Sequence, residues 1–156
     1  MYLAQRYDES IEQYRRTLDM ESNFVVARCM LGMAYERKSQ TAEARSQFQQ
    51  ALAISPNSGF ALARMGISYA SSGDRNQAQQ VLHELAELSK SRYVPSIYPS
   101  SVYNALGDAD QAFAWTNKAV DERSHYLIYL DVDPSLGSFR ADPRYPELAR
   151  RIGLRR

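Results

Sequence analysis

The chain has 156 residues, enough for one domain with a buried core. Its 19 basic and 18 acidic residues leave a net charge of +1, which excludes a global field able to gather nucleic acid or an anionic membrane. A single cysteine, Cys29, excludes an internal disulfide, and no apolar run has the length of a membrane span, so a cytoplasmic location is expected.

Residues 7–20, YDESIEQYRRTLDM, align in register with residues 41–54, TAEARSQFQQALAI. The chain is therefore expected to begin inside a repeating unit (residues 1–22, a partial first repeat) and to be a piece of a longer protein. In the second repeat, residues 23–56, Asn23 is the expected cap of a helix over about 24–38 that buries Ala27, Leu31, Ala34 and Tyr35. Gly32 has no side chain to hold off the partner helix. That partner is expected over 42–54, buries Ala44, Phe48, Ala51 and Leu52, and stops at Ser55-Pro56 because proline cannot continue it.

The third repeat, 57–90, has helices over about 58–71 and 75–90 around a Ser72-Gly73-Asp74 turn, with Asp74 and Gln77 spaced as a capping box. In the fourth, 91–124, Pro99 falls where Leu31 and Met65 stand earlier. An interior proline costs about 3 kcal/mol, so this helix is predicted to be short, kinked or begun near Pro99. After the Gly107-Asp108 turn, a helix over 109–122 closes the unit. In 125–156 the period is lost, and a last helix is expected over 145–152 as a cap. The track Gln13, Gln47, Val81 turns aromatic at Trp115, which predicts that Trp115 packs under the tail against Tyr126, Leu130 or Phe139, the competing reading being an exposed anchor for a partner.

Independent tracks share one interval of 34 residues. They include Gly32 and Gly66; Tyr35, Tyr69 and Tyr103; Ala44, Ala78 and Ala112; Tyr14, Phe48 and Leu82; and Ala51, Leu85 and Ala119. A fixed period of this length marks a solenoid of helix–turn–helix units. With Pro56 in the turn, the pattern resembles the tetratricopeptide repeat (TPR) family. The resemblance implies an all-α, right-handed TPR superhelix of about 3.5 repeats with a non-repeating C-terminal cap, spanning 1–156 as one domain. It also implies a non-catalytic scaffold for a protein or peptide partner. The run GDADQAFAWTNKAVDERS followed by DPRYPELARRIGL resembles the closing segment of such arrays in bacterial multidomain signalling and regulatory proteins.

In this geometry the first helix of each pair lines the concave side. The expected groove comprises Val26, Cys29, Met33, Phe60, Ala63, Ile67, Ile97 and Ser101, with Val94 beside them and Arg37 and Arg64 at the edges. It is mostly apolar and suits an amphipathic helix or an extended apolar peptide. Glutamate at Met33 and Ile67 is expected to abolish binding and leave the helices intact. Family members that grip a chaperone's C-terminal carboxylate use Lys, Arg and Asn on this face; the matching places here hold Cys29, Met33, Ala63, Ile67, Ile97 and Ser101, so that clamp is not implied. An equal alternative is that the chain covers the face itself.

Chemistry is sparse. Two histidines, His83 and His125, lack the spacing of a zinc site, and Asp131-Val132-Asp133 lacks the glycine and distal glutamate of a calcium loop. No phosphate-binding or nucleophile motif is present, and Cys29 on an apolar face reads as inert. No enzyme activity, cofactor, metal or specific nucleic acid is expected; Arg15-Arg16 and Arg150, Arg151, Arg155 and Arg156 are the basic clusters. The readings kept open are a C-terminal interaction module of a larger bacterial protein, a stand-alone adaptor that uses the groove to homodimerise, and a regulatory domain of an enzyme encoded upstream.

Overall fold

Turn chemistry divides the chain into hairpins. The computed structural model describes residue 2 and residues 5–154, and among these there are nine α-helices and no strand. Helix α1 (Tyr7–Met20) packs on α2 (Val25–Arg37). The hairpins α2/α3 (Thr41–Ile54), α4 (Gly59–Ser71)/α5 (Arg75–Ser89) and α6 (Ile97–Ala105)/α7 (Ala109–Asp121) then follow. Helices α2, α4 and α6 lie side by side, giving a helical-repeat solenoid closed by α8 (Gly137–Ala141) and α9 (Tyr145–Arg151).

Each hairpin turn repeats one device. The backbone N–H groups of Gln40, Asp74 and Asp108 donate to the carbonyls of Tyr35, Tyr69 and Tyr103 at 2.9–3.0 Å. The residue just before each of these donors takes a left-handed conformation: Ser39 (φ 60°), Gly73 (85°) and Gly107 (78°). Gln5, one interval earlier, has φ 58°. Glycine adopts this region without penalty, whereas an L side chain costs about 1 kcal/mol. Ser39→Gly should therefore stabilise the fold by about 1 kcal/mol, raising Tm by about 3 °C in a calorimetric scan.

Caps follow the repeat register. Asp74 Oδ1 accepts from the Gln77 N–H at 3.3 Å, Asp108 Oδ1 from Gln111 at 3.1 Å, and Ser58 Oγ from Ala61 at 3.3 Å. Asn23 does not cap α2. Phe24 holds that position, the register mate of Ser58, without a side-chain cap, and the entry turn closes through Phe24 N–H to the Glu21 carbonyl.

The hairpins cross where side chains are smallest. A Cβ on Gly32 would sit 2.4 Å from the ring of buried Phe48, and one on Gly66 would sit 2.9 Å from Val81. At the third crossing Ser100 and Thr116 replace glycine and a large apolar residue. Their hydroxyl oxygens are 2.7 Å apart and each lies 2.9 Å from the Ala112 carbonyl, so one hydroxyl can donate to that carbonyl while the other donates to its neighbour. Helix α6 is short, nine residues from Ile97, so Pro99 lies in its first turn, where a missing N–H breaks no helical bond.

The cap departs from expectation at one residue. Phe113, not Trp115, carries it: its ring stacks on Phe139 at 4.3 Å between centroids, and Phe139 meets Tyr145 edge-on at 6.0 Å. Arg144 covers the other side of Phe113 at 4.3 Å. Trp115 is half-buried outside this cluster, with the Lys118 ammonium 4.8 Å from its ring centroid. Two positions along a helix rotate a side chain to the opposite flank, and the cap meets the flank of Phe113.

Candidate functional site

The three first helices present register-equivalent residues as rungs of one inner face. At their N-terminal end Val26 is 50% exposed and Phe60 half-buried, with half-buried Val94 at the equivalent register position in the segment leading into α6. The next rung is closed: Cys29, Ala63 and Ile97 are all buried. Met33 is buried too, in the cluster that contains Tyr2, Leu31 and Met65. The apolar strip is thus interrupted by packing and by the chain's own Tyr2. A glutamate at Met33 would place a carboxylate in the core and test folding rather than binding.

Towards the C-terminal ends of the same helices the face opens into a polar chamber of about 400 Å³. Its walls are last-turn rungs: Glu36 and Asn104, which share a register with Tyr2, then Arg37, Ser71 and Ala105, then Ile67 and Ser101. The capping segment supplies the far wall through Ser135, Leu136 and Ser138. Ser138 reaches across to donate to Asn104 Oδ1 at 3.3 Å, which ties that wall to α6.

Arg64 is the main charge inside. It is 6% exposed, and its Nη2 donates to Glu36 Oε2 at 2.7 Å in a largely buried ion pair. Among the described residues its Nε has no hydrogen-bond partner, and neither has the phenol of Tyr2, which is 3% exposed. Burial pushes the Tyr2 phenol well above its ordinary range, so it stays a neutral donor. Arg37 stands exposed at the rim and makes no hydrogen bond or ion pair among the described residues. The serines are turned the other way: Ser101 donates to the Ile97 carbonyl at 2.9 Å and Ser135 to Asp133 Oδ1 at 2.7 Å. Their protons are engaged, and their lone pairs remain for incoming donors.

Of the expected groove residues, Arg37, Arg64, Ile67 and Ser101 line the chamber, and Val26 and Phe60 stand at the open apolar end. Cys29, Met33, Ala63 and Ile97 form the closed stretch between. Glu36 and Asn104 were missed although the period points to them, since each lies one place from an inner rung. The serines at 135 and 138 lie outside the period and carried no such signal.

The remaining candidates resolve into structural roles. Burial pushes the Cys29 thiol up to about 12, so it should react with an aromatic disulfide reagent only as the protein unfolds. Rapid labelling under native conditions would contradict that burial. Asp131 and Asp133 point to different tasks: Asp131 Oδ1 accepts from the Tyr145 phenol at 3.3 Å, and Asp133 caps the turn at Pro134–Leu136. Among the described residues no group of three or more His, Cys, Asp or Glu could hold a metal ion. His83 is exposed, and the His125 ring lies 4.0 Å from Tyr126. Arg15 donates to the Tyr35 phenol at 2.7 Å, Arg16 pairs with Glu12, Arg150 with Glu147, and Arg151 donates to Asn117. Arg155 and Arg156 lie outside the described residues. No described helix is long and apolar enough to cross a membrane.

Residues 26–58, the span of α2 and α3 with their exit turn, match the tetratricopeptide repeat family. Comparison with curated proteins yields no match.

Proposed function

We propose that the chain, whose residues 26–58 match the tetratricopeptide repeat family and whose helices pack as a helical-repeat solenoid, is a non-catalytic scaffold that takes a segment of a partner protein along the face formed by α2, α4 and α6. Repeats of this family generally mediate protein–protein interactions. The observation that supports the reading is the division of that face. An apolar end at Val26, Phe60 and Val94 suits one buried anchor, and the polar chamber beside Arg37 suits hydrogen-bonding groups further along the same segment. A stiff array holds both ends at a fixed spacing, so binding does not have to order the receptor. The resemblance of the closing segment, about residues 93–154 with the runs at 107–124 and 142–154, to the ends of such arrays is what supports placing this scaffold at the C-terminal end of a larger bacterial signalling or regulatory protein.

Selection of binders from a displayed random peptide library tests the reading. Selected peptides should lose about tenfold in affinity or more against Val26→Glu, a substitution at an exposed position that leaves thermal stability unchanged. Peptides that bind Val26→Glu and an Arg37→Glu variant as well as the parent would place recognition elsewhere.

A further inference from the structure

The polar chamber has a donor surplus that the fold itself does not use. Two residues of its wall carry a buried donor with no partner among the described residues: the Nε–H of Arg64, on a side chain 6% exposed, and the phenol O–H of Tyr2, 3% exposed. A buried polar group left unsatisfied costs about 1–3 kcal/mol, so two beside one cavity mark a place shaped for an acceptor. A third donor stands at the mouth, where the Arg37 guanidinium has no partner among the described residues. The charges are divided between the two sides. Glu36 pairs with Arg64 and Arg37 adds a positive charge beside them, while Asp133, whose charge acts on both Arg64 and Tyr2, puts a negative one on the side of the capping segment.

The opposite wall asks for something else. Ser101, Ser135 and Ser138 spend their protons on the Ile97 carbonyl, Asp133 and Asn104, and so offer acceptors only. The Asn104 carbonyl oxygen is occupied by Ser138, which leaves its amide nitrogen as a further donor. An oxyanion alone would satisfy the arginine side and leave the serines unanswered. At about 400 Å³, walled by the inner face, Tyr2 and the capping segment, the chamber has the volume of a small-molecule site.

We propose that this chamber binds a small carboxylate that also carries hydroxyl or amino groups, its carboxylate held by Arg64 Nε, Tyr2 Oη and Arg37 and its donors by the serines of α6 and the capping segment. The chamber is the polar end of the face proposed for a partner segment, so the carboxylate and the polar part of that segment would compete for it; the small-molecule site stands whether or not that partner exists. Arg64 positions the carboxylate through the one N–H that Glu36 does not engage. Arg37 supplies the charge, and Tyr2 supplies a neutral bond whose loss leaves its ring packing with Tyr7 in place.

The test uses the full chain and the side-chain Nε–H signals of arginine in proton–nitrogen correlation spectra. Probes are L-lactate, L-malate, L-serine and L-glutamate, compared with acetate, glycerol, inorganic phosphate and chloride. At least one hydroxy- or amino-carboxylate should shift the Arg64 signal saturably, with Kd of about 1 mM or tighter, and at least about tenfold more tightly than acetate, phosphate or chloride. Arg37→Gln and Tyr2→Phe should each weaken that binding about tenfold while the thermal midpoint without probe stays unchanged for Arg37→Gln. Arg64→Ala is avoided, because it removes a buried ion pair along with the donor. Absence of saturable shifts with every carboxylate would overturn the proposal and leave the two donors to ordinary hydration. Equal shifts with phosphate or chloride would overturn it in favour of an unspecific counter-ion, and equal shifts with glycerol would remove the role of the charge.

Discussion

Glu36→Ala should destabilise the protein by about 3 kcal/mol, the cost of leaving a buried guanidinium without its counter-charge. Arg64 is 6% exposed and, among the described residues, its ion pair is with Glu36, at 2.7 Å. Breaking such a pair differs from replacing it. With Arg64→Leu added, the uncompensated charge is gone and apolar surface fills part of its place, so the double variant should be more stable than Glu36→Ala alone. Denaturant melts of the parent, the two single variants and the double variant give the coupling. A Glu36→Ala midpoint equal to the parent's would mean that the arginine reaches water in solution and that the chamber is open at its base.

Gly32→Ala is the second large effect, and its sign is the informative part. In an exposed helix interior, alanine for glycine gains about 1 kcal/mol. Here the new Cβ would lie 2.4 Å from the Phe48 ring, itself fully buried in the α2/α3 crossing, and overpacking of this kind costs about 3 kcal/mol. The net loss should be about 2 kcal/mol, or about 6 °C in Tm. In a Phe48→Leu background the same substitution should cost less, because the smaller side chain yields the space. A rise in Tm for Gly32→Ala would show that the helices do not approach as closely as the register demands.

The parts of the fold that were legible in the sequence are those that repeat. The paired glycines and aromatics fixed where helices cross, and the tyrosine track fixed where each first helix ends. The aspartates at 74 and 108 fixed where the second helices begin. Even the misplaced cap obeys the register: Phe24, not Asn23, is one interval before Ser58. Features outside the period were harder. The choice between Phe113 and Trp115 depends on which flank of α7 the tail meets, and the tail has no repeat to consult.

The site divides along the same line. Rungs on α2, α4 and α6 were readable from spacing, including Arg37, Arg64, Ile67 and Ser101. Whether a rung is open was not. Burial of Cys29, Ala63 and Ile97 follows from how closely three helices approach one another, a property of all their side chains at once. The polar character of the chamber depends on Tyr2 and on a wall from the capping segment, two pieces brought together only by the course of the chain.

The proposed function requires that α2, α4 and α6 form the recognition face. Amide hydrogen exchange of the full chain, with and without a peptide selected from the displayed library, reads that face out segment by segment. Protection should rise in the segments around Val26, Phe60 and Arg37 and stay unchanged along α3 and α5. Protection confined to α3, α5 or the exposed side of α1 would contradict the account and move recognition to the outer face.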